Sequence, residues 1–201
     1  MILRNKDEYP KVCFEILSEL EKNLSSELTY HSIEHTVDVA NVCDDYIEYY
    51  IIPKEDADLI RIAAVGHDMG YLDSPNNHEE KSILKINSFL EPLISKEKIE
   101  IINGLIRATK IPQQPKTFYE EILADSDLDY LGRTDYPIVS RELYQEFLHF
   151  QLVSNEKEWL KRQIKFLKNH RYHTSWAKLN REEHKAKNLK ELEMKLKEIS
   201  N

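Results

Sequence analysis

The chain has 201 residues, 41% hydrophobic and 32% charged, a balance that excludes a disordered segment and supports a folded domain with its own core. Its formal net charge of −8 argues against nucleic acid or an anionic membrane as a partner, because both demand concentrated positive charge. Only four glycines appear, which disfavours a turn-rich β-sandwich or a glycine-loop nucleotide fold.

Apolar residues recur at helical spacing from the start. Cys13, Ile16, Leu17, Leu20 and Leu24 predict an amphipathic helix over residues 7–24. "SSELTYH" interrupts it, and Ser32 is placed to cap a second helix running to about residue 50, with Val39, Cys43, Tyr46, Ile47 and Tyr50 on its apolar side. Pro53 opens a third helix, whose inner part carries Leu59, Ile62, Ala63 and Val65 and whose end is expected at Gly70 as a left-handed C-cap. "DSPNN" breaks the chain before a helix with Ile83, Leu84, Ile86, Phe89 and Leu90, and Pro92 stands near its end. Ile99, Ile102, Leu105, Ile106 and Thr109 mark a helix over about 95–110, and "KIPQQPK" is a loop. Residues 117–132 read as helix ended by Gly132, followed by helices at about 137–153 and 155–169. The charged segment from Thr174 carries a narrow seam, Leu189, Leu192, Leu196 and Ile199, suited to packing on its own domain or to a homodimer contact.

These elements define a single all-α domain of eight or nine helices spanning residues 1–201. No apolar run approaches the roughly 18 residues of a membrane span. The start "MILRNKDEYPKVC" lacks the apolar core of a signal peptide, so a cytoplasmic location is expected. Cys13 and Cys43 have no C-x-x-C spacing and read as buried free thiols.

Three stretches carry chemistry. In "YHSIEHTVDVA", His31 and His35 are four residues apart and share a helix face. In "AAVGHDMGY", His67 and Asp68 follow an apolar helix, where an ionised carboxylate is costly unless paired or bound to a metal. In "ILADSDLDYLGR", a helical wheel sets Leu123, Ala124, Tyr130 and Leu131 around Asp127 and leaves Asp125 at the edge of that face. A metal, an arginine or a helix N-terminus would each satisfy such an aspartate.

The order His35, then His67-Asp68, then an aspartate in "LADSDLDYLG" resembles the HD superfamily of metal-dependent phosphohydrolases. With "YHSIEHT", "NHEEKS" and "DLDYLGR", the resemblance spans about residues 30–133, leaving 134–201 as C-terminal helices packed on that core. "YHSIEH" is also similar to the Tyr-His-x-x-x-His signature of cyclic-nucleotide phosphodiesterases. The resemblance implies His35, His67 and Asp68 as metal ligands. The last ligand is Asp125 by the literal "LAD" match, or Asp127 by "DL" and the wheel, with Asp127 favoured.

Two imidazoles and two carboxylates suit one divalent ion, Mn²⁺, Fe²⁺, Co²⁺, Ni²⁺ or Mg²⁺, better than a closed structural zinc site. "GLIRATKIPQQP" lacks the histidine that binuclear relatives supply there, which points to one metal and leaves His78 to contact substrate or cap a helix. His31 is then the candidate acid for the leaving oxygen, and Glu79 or Glu80 the residue that orients or deprotonates water. Arg107, Lys110 and Arg133 are the candidate phosphate contacts; "FLKNHRYHTSWAKL" either covers the pocket or simply packs as a helix-turn-helix. The implied activity is hydrolysis of a phosphomonoester or phosphodiester of a nucleotide or related small metabolite by metal-bound water. The alternatives are a non-catalytic nucleotide-binding sensor and a purely structural helical protein.

Overall fold

The computed structural model describes residues 2–91 and 93–200; the expectation for Pro92 lies outside the described residues. Those residues are all-helical, with nine α-helices and no strand. None of the helices is long and apolar enough to cross a membrane.

The chain divides into two compact units, the first formed by residues up to Ser26 with His31–Asp127, the second by Glu27–Tyr30 with the chain from Leu128 onward. In the first, α1 is Lys11–Asn23, shorter than the periodicity predicts because Pro10 starts it and residues Lys6–Glu8 form a separate 3-10 turn. Helix α2 is Ile33–Tyr49. Ser32 does occupy its N-cap position in extended backbone, but its side chain makes no capping bond. Helix α3, Lys54–Gly66, lies at the centre of the unit and packs on α1 and α2. It also packs on α4 (His78–Leu90), α5 (Lys96–Ala108) and α6 (Phe118–Asp127). That position follows from its composition: Ile60, Ala63, Ala64 and Val65 are fully buried, and small residues let neighbouring backbones approach.

Two glycines behave differently from their expected roles. No glycine among the described residues has a positive φ, so Gly70 is not a left-handed cap. Helix α3 stops at Gly66, and Met69–Leu72 continue as a 3-10 turn. Gly70 is needed there for space: a Cβ would stand 2.0 Å from the His78 carbonyl oxygen. Its N–H also donates to Ser82 Oγ at 2.7 Å, pinning the turn to α4. Gly132 likewise ends a 3-10 turn, Asp129–Gly132, rather than a helix continuous from residue 117, because α6 breaks after Asp127.

The second unit contains α7 (Tyr136–His149), α8 (Glu156–Asn169) and α9 (Ser175–Glu198). Its core joins Tyr30, Tyr130, Leu131, Tyr136, Trp159, Leu160, Leu167 and Leu192. Leu189 and Leu196 pack against that core, while Ile199 stays exposed, so most of the apolar seam is used within its own unit. Cys13 and Cys43 are free and buried, as their helical pattern predicts.

Candidate metal centre

Each element of the first unit brings one piece of the site. His35 lies in the first turn of α2; His67 and Asp68 follow the end of α3; Asp127 closes α6. The helices converge because α2 packs on α3 and α6. His35 Nε2 stands 3.3 Å from Asp127 Oδ1 and 3.5 Å from Asp68 Oδ2. His67 Nε2 stands 3.2 Å from Asp68 Oδ2 and 3.5 Å from Asp127 Oδ1. Donor atoms about 2.1 Å from one ion and at right angles are about 3 Å apart, so this spacing suits a shared cation.

His35, His67 and Asp127 form a group whose donor atoms all lie within 4.8 Å of one another and can hold a metal ion. His67 Nδ1 is 2.8 Å from the Ala64 carbonyl, which can only accept, so Nδ1 keeps its proton and Nε2 is the atom turned to the carboxylates. A backbone carbonyl behind a metal-binding imidazole is the usual way of fixing its tautomer. His67 is 1% exposed and Asp68 4%. His67 Nε2 and Asp68 Oδ2 are nonetheless left without a hydrogen bond among the described residues. Buried polar atoms are normally satisfied, so two such atoms aimed at one point suit coordination of a cation.

The electrostatics agree. Burial opposes charge on His67, but Asp68 and Asp127 outweigh it and hold its pKa well above the usual histidine value. Burial would raise both aspartates; the His67 imidazole instead holds Asp68 far below the carboxylate range, and His35 and His67 bring Asp127 down to about 2. Both carboxylates therefore stay ionised, and the proton they hold on His67 is one that a cation can replace.

The other candidate residues divide into those near this cluster and those elsewhere. Asp125 is fully buried on α6 but is not part of the group that can hold an ion. One helical residue turns about 100°, so two residues turn the side chain to the far face. His78 Nε2 lies 3.5 Å from Asp68 Oδ1 and 3.7 Å from Glu79 Oε1, and Glu79 is buried. Glu80 points away and receives Arg107 at 2.8 and 3.1 Å in a two-pronged pair. Lys110 Nζ donates to Asn77 Oδ1 at 2.8 Å. Arg107 and Lys110 thus both bind the N-terminal end of α4, through Glu80 and Asn77.

Arg133 lies in the second unit, where it pairs with Asp135 at 2.9 Å. The "NHRYH" stretch also belongs there, with Lys185 Nζ 4.9 Å from the ring centre of buried Tyr172.

His31 is half-buried, its ring 6.0 Å from that of His35. Its Nε2 meets the hydroxyl of Tyr71 at 2.9 Å. Sequence reasoning overlooked Tyr71; the available signal was its place three residues after Asp68, one 3-10 turn along the same segment.

No family model matches the chain, and no curated protein matches it.

Proposed function

We propose that this chain is a metal-dependent phosphohydrolase of the HD type, cleaving a phosphomonoester or phosphodiester of a nucleotide or related small metabolite. The observation that carries the reading is the convergence of His35 Nε2, His67 Nε2, Asp68 and Asp127 around two buried atoms that lack hydrogen bonds. These four residues would hold one divalent ion, with Asp68 joining the three whose mutual spacing already suits one. Bound there, such an ion supplies a Lewis acid that polarises a phosphoryl oxygen and acidifies water.

The chain's own groups complete the chemistry. Ala64 and the carboxylates fix the imidazoles, so little reorganisation accompanies binding. Glu79 is the carboxylate positioned to orient water or take its proton, since Glu80 is engaged with Arg107. His78 stands at the edge of the cluster, its Nδ1 on the Pro75 carbonyl at 3.2 Å and its Nε2 turned to Asp68 and Glu79, where it lines the space a substrate would enter. His31 lies beside His35 on the half-exposed side and assists departure of the leaving oxygen.

The test is elemental analysis of the purified chain after reconstitution with Mn²⁺ or Ni²⁺, coupled to a phosphatase screen on nucleotides. We expect about one metal per chain and metal-dependent phosphate release. Retention of both metal and activity in His67→Ala and Asp68→Ala would overturn the reading; tight nucleotide binding without turnover would favour a sensor.

A further inference from the structure

Tyr71 is held more firmly than a rim tyrosine requires. Its backbone N–H donates to the Asp68 carbonyl at 3.0 Å, anchoring it to the turn that carries the His67-Asp68 pair. Its ring stacks on His31 with centroids 4.2 Å apart and 19° between planes. The ring of His78 stands 4.5 Å from it, and His78 Nε2 reaches Asp68 Oδ1 at 3.5 Å. The Tyr71 hydroxyl meets His31 Nε2 at 2.9 Å, so that nitrogen's single proton or lone pair is engaged by the phenol. Tyr71 and His78 are both half-buried, leaving this aromatic row reachable beside the buried carboxylates.

We propose that Tyr71, rather than His31 directly, is the catalytic acid that touches the leaving oxygen, and that the substrate is an ester of an alcohol rather than a phosphoanhydride. This rests on the phosphohydrolase reading. His31 is a positioning residue: its Nε2–H donates to Tyr71 Oη, which turns the phenolic proton outward and stabilises charge arising on that oxygen. As water bonds to phosphorus, the bond from phosphorus to the ester oxygen breaks with its electron pair. The departing oxygen takes the Tyr71 proton; the attacking water loses one to Glu79, and solvent reprotonates the phenolate as Glu79 releases its proton. An alkoxide is about as basic as hydroxide, whose conjugate acid has a pKa of about 15.7, and leaves poorly without a proton. A departing phosphate group, with a pKa of about 6, has no such need. An acid placed here serves an alcohol.

Tyr71→Phe keeps the stacked ring and removes only the hydroxyl. Using the full chain reconstituted with Mn²⁺, we expect kcat on a nucleoside monophosphate to fall on the order of 10²-fold with KM held. The fall on p-nitrophenyl phosphate, whose leaving group needs no proton, is expected to be much smaller. The wild type should also prefer the monophosphate ester to the anhydride of a nucleoside diphosphate. Equal losses on both esters, or preference for the anhydride, would overturn the assignment of Tyr71.

A second readout needs no turnover. In ¹⁵N spectra of the metal-free protein, His31 should show a protonated Nε2 whose shift changes in Tyr71→Phe. An unprotonated Nε2 would mean that the phenol spends its proton on His31, and the proposal would be wrong. Absence of hydrolysis on all three substrates would instead sink the phosphohydrolase reading beneath it.

Discussion

The first unit buries two sets of carboxylates and answers them in opposite ways. Asp44, 3% exposed, receives Arg61 Nε at 2.8 Å on one oxygen and the Tyr9 hydroxyl at 3.1 Å on the other. Asp68, 4% exposed, is instead paired with the imidazoles of His35, His67 and His78, and its Oδ2 lacks a hydrogen bond among the described residues. A guanidinium stays charged at any accessible pH and closes its site permanently. Imidazoles exchange their protons, so a site built on them can trade those protons for a metal. Burial of charge is common to both regions; the chemistry of the partner separates a closed ion pair from a cluster that could hold a metal ion.

The strongest way to break that contrast is to remove a ligand. Asp68→Ala and His67→Ala should lose metal binding by more than the roughly 10–100-fold typical of residues behind a ligand, read by elemental analysis after dialysis. Arg61→Ala should instead leave metal content unchanged and lower stability by about 3–5 kcal/mol in urea unfolding, because it strands Asp44 without a cation. If Arg61→Ala emptied the metal site as well, the two regions would not be separable.

Added metal sharpens the comparison further. At about 100 times its dissociation constant, an ion that binds only the folded chain adds about 2.7 kcal/mol of stability. That gain should vanish in Asp127→Asn and survive in Asp125→Asn, as measured by Tm with and without Mn²⁺; the reverse would make Asp125 the ligand.

Alkaline pH reads the buried thiols. Burial pushes Cys13 and Cys43 up to about 12, so both stay protonated in the fold after they begin to ionise in the unfolded chain near 9. Their contribution to stability is complete below about pH 9 and is lost as pH climbs from there toward 12. A Cys13→Ala, Cys43→Ala double variant should show a flatter decline over that window. The smallest effect belongs to the exposed pair: Glu80→Gln should cost no more than about 1 kcal/mol and spare metal binding.

The sequence by itself determined the helical character of the chain, because apolar spacing and proline positions act within a few residues. It also brought His31, His35, His67, Asp68 and Asp127 forward as chemical candidates. It misjudged Gly70 and Gly132, where the constraint is a distant backbone, His78 or Arg181, rather than a local turn.

Only the tertiary structure decided which charged groups face one another. Asp127 and Asp125 differ by two residues, yet among the described residues it is Asp127 that joins His35 and His67 in the group able to hold an ion. Glu79 and Glu80 are adjacent, yet one turns to His78 and the other to Arg107. Tyr71 gains its meaning from His31, forty residues earlier in the chain. Local periodicity sets which face a side chain occupies, but the electrostatic partner it meets depends on how separate helices pack, and that information is non-local.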